Sequence, residues 1–499
     1  MGTPIKIDPE VLQHKLQNMS RRSMLGAGCG LGAVAAAELL ASQAFGAGSG
    51  PAAGASPGGA APDKGFLRTG QFPATAKRVV SIHMWGAVSQ VDTFDYKPTV
   101  IKNHGQELPD SVKGHSKVSA MSNAQSAFTV MRPIKDFKQY GQSGRWVSDL
   151  MPYTGKIADD LCFVHSMYTP HVNHDPAAFW LHTGFQIPGR PSAGAWVDYA
   201  LGTDDANLPS YVVMRSQFMA AGVGASSATW SSGFLPSQYQ GVEFRSGNSP
   251  VLYVSNPDGM SKEQRRGELD FIDDLSKAEY NLSHDPEVLS KVTQYEMAYR
   301  MQDSVPDVAD ISDEPDYILD MYGPQVRIPG TFARNCLLTR RLIERGVKFI
   351  QLIQVGWDHH TGIVRRHPVD CWAVDQASSA LVTDLKQRGL LDDTLVMFGG
   401  EFGRTVYAQG GITDNSGRDH HGNNFTMWLA GGGSKAGTEY GKTDDYSYNV
   451  VENPVGVHDL HATMLHMLGI DHKQLMFRSQ GRDYLLTDVD GNLVKGLLA

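Results

Sequence analysis

Short, mostly apolar runs alternate with longer stretches of helical period along this chain. RVVSIHMW (Arg78–Trp85), DLCFVHSM (Asp160–Met167), LPSYVVM (Leu208–Met214), KFIQLIQV (Lys348–Val355), TLVMF (Thr394–Phe398) and FTMWLAGGG (Phe425–Gly433) are too short for helices. Such runs read as buried strands. Helical stretches lie between them. One starts at Asp175-Pro176, an acidic N-cap followed by proline at the first helical position. Others are the arginine-rich Phe332–Gly346, Ala373–Arg388 and the late VHDLHATMLHMLGI. From about Ala220 to Pro324 the order loosens into polar turns and amphipathic helices, which predicts an insertion or a cap shaping access to the sheet edge. The alternation predicts an α/β fold, a mostly parallel sheet flanked by helices. No internal repeat is visible.

In such a sheet, ligands collect just beyond the carboxyl ends of the strands. GWDHH (Gly356–His360) follows one predicted strand, FGGEFGRT (Phe398–Thr405) ends another, and GRDHH (Gly417–His421) lies in the next loop. Those ends carry Asp358, His359, His360 and Glu401, and the loop adds Asp419, His420 and His421. Neutral imidazole beside carboxylate suits zinc, manganese or iron. The pattern predicts a metal site.

Composition changes this picture little. A chain of 499 residues, 41% hydrophobic, can bury a large α/β core. A net charge of −9 with no basic block excludes ordinary nucleic-acid binding. The N-terminus is more telling. SRRSML (Ser20–Leu25) precedes the weakly apolar GAGCGLGAVAAAELLASQAFGA, which reads as a twin-arginine export signal over residues 1–47. The alternative is a basic helix start in the folded protein. GSGPAAGASPGGAAPDK then falls in a flexible spacer, 48–75, before the main domain, 76–499. This organisation predicts passage through the twin-arginine translocase to the periplasm, the cell envelope or beyond. No run after the signal approaches the ~20 apolar residues of a membrane span. Cys29 lies in the signal. Cys162, Cys336 and Cys371 form no disulfide framework and read as buried small hydrophobes.

Seven motifs in order, RVVSIHMWGAVSQVDTFDYKP, NHDPAAFWLHTG, RPSAGAWVDYALG, GWDHH, LLDDTLVMFGGEFGRT, GRDHHGNNFTMWLAGGG and HDLHATMLHMLGI, resemble a bacterial family. It is the domain-of-unknown-function family numbered fifteen-oh-one, exported by the twin-arginine route and similar to alkaline phosphatases and sulfatases. The resemblance runs from about Arg78 to the C-terminus. It implies the three-layer alkaline-phosphatase-like fold, one or two divalent ions (zinc, manganese, iron or calcium) and an anionic ester substrate, polysaccharide included. It places Asp92 on one metal, with Asp95 as a neighbour, and Asp358 with His360 on the other, His359 being spare. Glu401 takes an acidic ligand position, but Phe402 stands where a histidine is expected. His420 fits a final histidine ligand, with His421 as runner-up. The superfamily's nucleophile is Ser, Thr or modified Cys at a helix N-terminus. Here PHVNHDPA offers Thr169 nearby and His171, Asn173 and His174 at the helix start. Ser89 in the first loop is a substitute, as is hydroxide on the metal. No Cys-x-Pro-x-Arg sulfatase signature is present.

The chemistry explains the grouping. Ester hydrolysis at phosphorus or sulfur needs a nucleophile made potent at neutral pH and a clamp on developing charge. Arg404 could fork onto an anionic ester or lock Glu401 in place. Each residue also has a plainer role: a polar network at strand ends for the ligand set, turn capping for Asp92, helix capping for His174. His458 and His461 read as packing residues, and Trp357 and Trp180 as core or pocket wall. Two functions stay open: an exported metal-dependent hydrolase of phosphate or sulfate esters, or a non-catalytic binding protein that kept the fold and part of the site. A mutase or transferase moving the same group is a third.

Overall fold

The computed structural model describes residues 70–499, apart from 115–118, 120, 218–224, 246–249, 252–254 and 258. The expected export signal and most of the spacer lie outside the described residues. Two compact units are distinguished. The described part of one lies within 255–302, and that of the other lies within 70–251 and 303–499.

The larger unit is built on a nine-stranded sheet. Along the chain its strands are β1 (Arg78–Trp85), β2 (Leu161–Tyr168), β3 (Tyr211–Gln217), β4 (Val242–Phe244), β5 (Phe349–Val355) and β6 (Thr394–Gly399). A hairpin outside the sheet follows, β7 (Gly403–Ala408) and β8 (Arg418–His421), then sheet strands β9 (Phe425–Ala430), β10 (Thr438–Tyr440) and β11 (Val455–Gly456). The order is β10-β2-β9-β6-β1-β5-β3-β4, with β11 paired to β2. Only β9 runs against its neighbours, β2 and β6. β1, β5 and β6 lie side by side in parallel register at the centre, Val80 opposite both Ile350 and Val396. β5 and β6 are buried at every position, as continuous apolar runs require when both faces are covered.

The helices include α1 (Gln90–Thr93), α2 (His174–Thr183), α3 (Ala193–Leu201), α4 (Lys262–Ser283), α5 (Pro286–Ala309), α6 (Phe332–Glu344), α7 (Ile363–Gln387) and α8 (Val457–Met467). α3 and α6 both pack on β3 and β5. Tyr211, Val213, Phe349 and Ile353 share a core with Trp196 and Val197 of α3. On α6, Asn335 donates instead to Ser216 Oγ at 2.7 Å. Odd and even positions of β3 therefore serve opposite faces, the period of a strand, and helices cover both. In the smaller unit, a Ser261–Gln264 capping box starts α4, and Arg266 bridges to Glu296 of α5 with contacts of 3.0 and 2.5 Å.

Several elements differ from the sequence expectation, among them β3, which runs Tyr211–Gln217 rather than Leu208–Met214. α2 starts at His174 with Asn173 as N-cap, two residues before the predicted acidic cap Asp175. That shift brings His174 into the first turn. α7 begins ten residues before the predicted Ala373, with Pro368 inside it. Proline so near the start removes a single backbone bond, which the apolar inner face outweighs. Within GRDHH, Arg418–His421 form a strand, not a loop. Within the stretch expected as an insertion, Val242–Phe244 adds the edge strand β4 of the main sheet.

Candidate metal centre

Three imidazoles converge on one carboxylate beyond the carboxyl ends of the central strands. His174, Asp358, His360 and His420 each offer one ligand atom, all within 4.8 Å of one another. His360 Nε2 lies 3.0 Å and His420 Nε2 3.2 Å from Asp358 Oδ1, and His174 Nε2 lies 3.4 Å from Oδ2. The Nε2 atoms of His360 and His420 are 2.9 Å apart.

Backbone geometry delivers these side chains. Asp358 and His360 leave the end of β5, where Trp357 N–H donates to Trp85 O at 3.2 Å. Gly86, at φ +110°, ends β1 so close to this turn that a Cβ would lie 2.6 Å from Asp358 N. Only glycine tolerates both. Gly417 packs its backbone against the His360 carbonyl, where a Cβ would overlap. His420 comes from β8 and sits opposite Arg404 of β7. His174 occupies the first turn of α2.

Each ring is held from behind. His174 Nδ1 donates to Glu401 Oε1 at 2.5 Å, His360 Nδ1 to Gln409 Oε1 at 2.5 Å, and His420 Nδ1 to Val172 O at 2.6 Å. Those three bonds keep a proton on each Nδ1 and turn each Nε2 inward, the orientation of metal-ligating histidine. His174 Nε2 is buried and without a hydrogen-bond partner, so it lacks what a metal would supply. Three nitrogens and a carboxylate are the donor set of zinc, manganese or iron. Calcium, also expected above, takes about six to eight oxygen ligands and does not suit three imidazoles.

The local charges reinforce this order. Burial works against the ionised Asp358, but the three histidines beside it and the Arg404 charge hold its carboxyl far below the usual range. Burial likewise works against Glu401, whose carboxyl His174 and His83 nevertheless keep low. His174 is raised to about 9, the Asp358 and Glu401 carboxylates beside it outweighing burial. Burial lowers His420 to about 4, against the pull of Asp358.

The other candidates fall in different places. Asp92 is fully buried and is held by Arg418 Nε at 2.7 Å and Nη2 at 3.1 Å. Arg418 supplies the positive charge a metal would, and Asp92 lies outside the cluster of His174, Asp358, His360 and His420. Ser89 donates its hydroxyl to Asp92 Oδ2 at 2.5 Å. Thr169 is buried, its hydroxyl accepting from His171 N–H at 3.3 Å. Arg404 is fully buried: it donates to Asp358 Oδ1 at 2.6 Å, to Arg418 O at 3.1 Å and to Gly86 O. It therefore clamps Asp358, and Glu401 braces His174 from behind. Asp95 pairs with Lys97 and Thr443. His359 faces His367 and Asp370.

Strand alternation separates the neighbours in GRDHH. Asp419 is held by Ser119 and Ser122, and His421 donates to Tyr448 O at 2.5 Å. Phe402 is buried, its ring 5.0 Å from His174 and 4.6 Å from His420. His458 and His461 donate to Gly184 O and Leu181 O, each at 2.8 Å, as packing residues do. Sequence reasoning missed Gln409 and His83. Gln409 lies in no motif, and His83 lies inside the first motif within an apolar strand run, where no local signal marks it as polar machinery.

A mostly parallel α/β sheet with a histidine–carboxylate centre at its carboxyl edge defines the class. The chain belongs to the family described as protein of unknown function (DUF1501), whose model matches residues 76–498. A search of curated proteins finds no match. Among solved structures, the chain is similar to the sulfatase PsFucS1 from Pseudoalteromonas sp., at 13% identity and TM-score 0.35, over 85% of this chain and 72% of that one. The lipoteichoic acid synthase LtaP from Listeria monocytogenes gives 9% identity and TM-score 0.33, over 80% and 74%. Phosphonate monoester hydrolase SpPMH from Silicibacter pomeroyi gives 13% and 0.28, over 64% and 68%. These likenesses are distant, and no substrate or mechanism is taken from them. No helix among the described residues is long and apolar enough to cross a membrane.

Proposed function

We propose that the protein is an exported hydrolase of phosphate or sulfate esters that works with one transition-metal ion, held by His174, Asp358, His360 and His420. The observation that carries this reading is the convergence of three inward Nε2 atoms on one carboxylate, each ring fixed through Nδ1. One ion rather than two follows from Arg418 occupying Asp92 and from Phe402 standing beside His174 and His420.

When bound, the ion supplies Lewis acidity, lowering the pKa of water and drawing charge from an ester oxygen. The protein does the rest. Arg404 and the three histidines orient Asp358. Asp358 and His360 are the most exposed of the four, with side chains 29% and 17% accessible, so the open side of the centre lies over them. Ser89 and Thr169 are buried and engaged, which makes water from that open side the nucleophile. The resemblance drawn from the sequence motifs favours anionic esters, including those carried on polysaccharide, and a periplasmic or envelope location reached by the twin-arginine translocase.

The engaged hydroxyls and the buried Arg404 also support a second reading, a metal-binding protein without hydrolytic activity. Elemental analysis of mature protein purified without chelators, followed by assay of aryl sulfates and aryl phosphates with each candidate ion, separates the two. About one equivalent of metal with turnover supports the hydrolase. Metal without turnover on any ester class supports the second reading, and no metal under any loading condition overturns both.

A further inference from the structure

A line of buried polar groups continues from the centre into the core. Glu401 receives His174 Nδ1–H on Oε1 and Gly86 N–H at 2.9 Å on the same oxygen. Its Oε2 lies 3.0 Å from His83 Nε2, and His83 Nδ1 lies 2.7 Å from His182 Nε2. His83 and Glu401 are 1% and 0% accessible, so water serves neither. His83 belongs to β1, Glu401 follows β6, and both outer histidines belong to α2. His174 and His182 are eight residues apart, about 12 Å along the helix axis. The line therefore leaves α2 at its first turn, crosses two strands' ends and returns to α2 two turns later.

The proton order along it is set by the carboxylate. Glu401 accepts only, so His83 carries its proton on Nε2. In the neutral ring His83 Nδ1 is then an acceptor, and His182 Nε2–H is its donor. Burial pushes the His182 pKa well below its ordinary value, which keeps that ring neutral. Each contact along the line has one orientation that satisfies both groups, which fixes the order of the buried chain from His182 to Glu401.

We propose that His83 and His182 are positioning residues for the metal centre: they hold Glu401, and through it His174, at the place where Nε2 can ligate. This rests on the metal reading above. Neither residue touches the ion or a substrate. Groups one step behind a ligand typically change metal affinity by about 10–100-fold, and His83 and His182 stand one and two steps further back.

The test is zinc affinity, measured by competition with a chromophoric chelator, together with the melting temperature of the metal-free protein. Gln can place an amide N–H near the position of imidazole Nε2, whereas Asn is one methylene shorter. His182→Gln should keep zinc affinity within about threefold of wild type, while His182→Asn should lose about tenfold. His83→Asn should lose more than His83→Gln for the same reason. Because each pair is matched in polarity, a shared loss of folding does not produce the difference. Equal zinc affinity within both pairs overturns the proposal. If wild-type protein binds zinc nowhere, the metal reading itself has failed; if wild type binds and the pairs are equal, only this inference has.

Discussion

The Nε2 atoms of His360 and His420 lie 2.9 Å apart with both Nδ1 atoms tied outward. Two inward lone pairs at that separation repel unless a proton or a cation lies between them. Asp358 lies within 3.2 Å of each and supplies the negative charge that favours the cation.

Removing a ligand should therefore remove the metal and spare the fold. Asp358→Ala and His420→Ala should each purify with less than about a tenth of the wild-type zinc, iron or manganese, with unchanged far-ultraviolet circular dichroism. Wild-type metal content in both variants would sink the ligand assignment.

Asp92 should behave in the opposite way. Its pair with Arg418 is buried on both sides, at 0% and 0% side-chain accessibility. Removing one partner strands the other charge, at a cost of about 3–5 kcal/mol. Asp92→Ala should thus lower denaturant stability by that order while metal per folded molecule stays the same. Unchanged stability with lost metal would return Asp92 to the ligand set.

pH should act with opposite sign on metal-free and loaded protein. The folded His174 pKa is raised from 6.5 to about 9. A pKa raised by folding contributes stability that is complete below the unfolded value and is lost as pH climbs through the folded one. Metal-free protein should lose stability on the order of 3 kcal/mol between pH 6.5 and 9. Zinc needs the unprotonated ring, so its affinity should rise over the same window, by up to about tenfold per unit for one displaced proton. Calorimetric melting with and without zinc across that range checks both signs.

Export is tested in the segment outside the described residues. Changing Arg21 and Arg22 together to Lys should leave the protein unprocessed in the cytoplasm, as cell fractionation would reveal. A processed periplasmic product from that variant would mean the N-terminus is a different signal.

Much of the architecture was legible because it depends on local pattern. The apolar runs Arg78–Trp85 and Lys348–Val355 coincide with central strands to within a residue, since a segment that buries both faces has few polar positions to spare. The same logic put Asp358, His360 and Glu401 at strand ends. Order within GRDHH was not legible. Only once β8 is known as a strand paired to β7 does the two-residue period turn His420 toward Asp358 and send Asp419 and His421 away from it.

By itself, then, the amino-acid sequence determined the strand and helix alternation, the family and the residue types gathered at the carboxyl edge. Tertiary structure alone decided which of those residues meet. It brought His174 beside Asp358, His360 and His420, gave Asp92 to Arg418, turned Arg404 inward onto Asp358, and set His83 and His182 behind Glu401. The physical reason is that period and propensity are properties of neighbours along the chain. A ligand set is a relation between residues hundreds of positions apart, and only register and packing bring those within bonding distance.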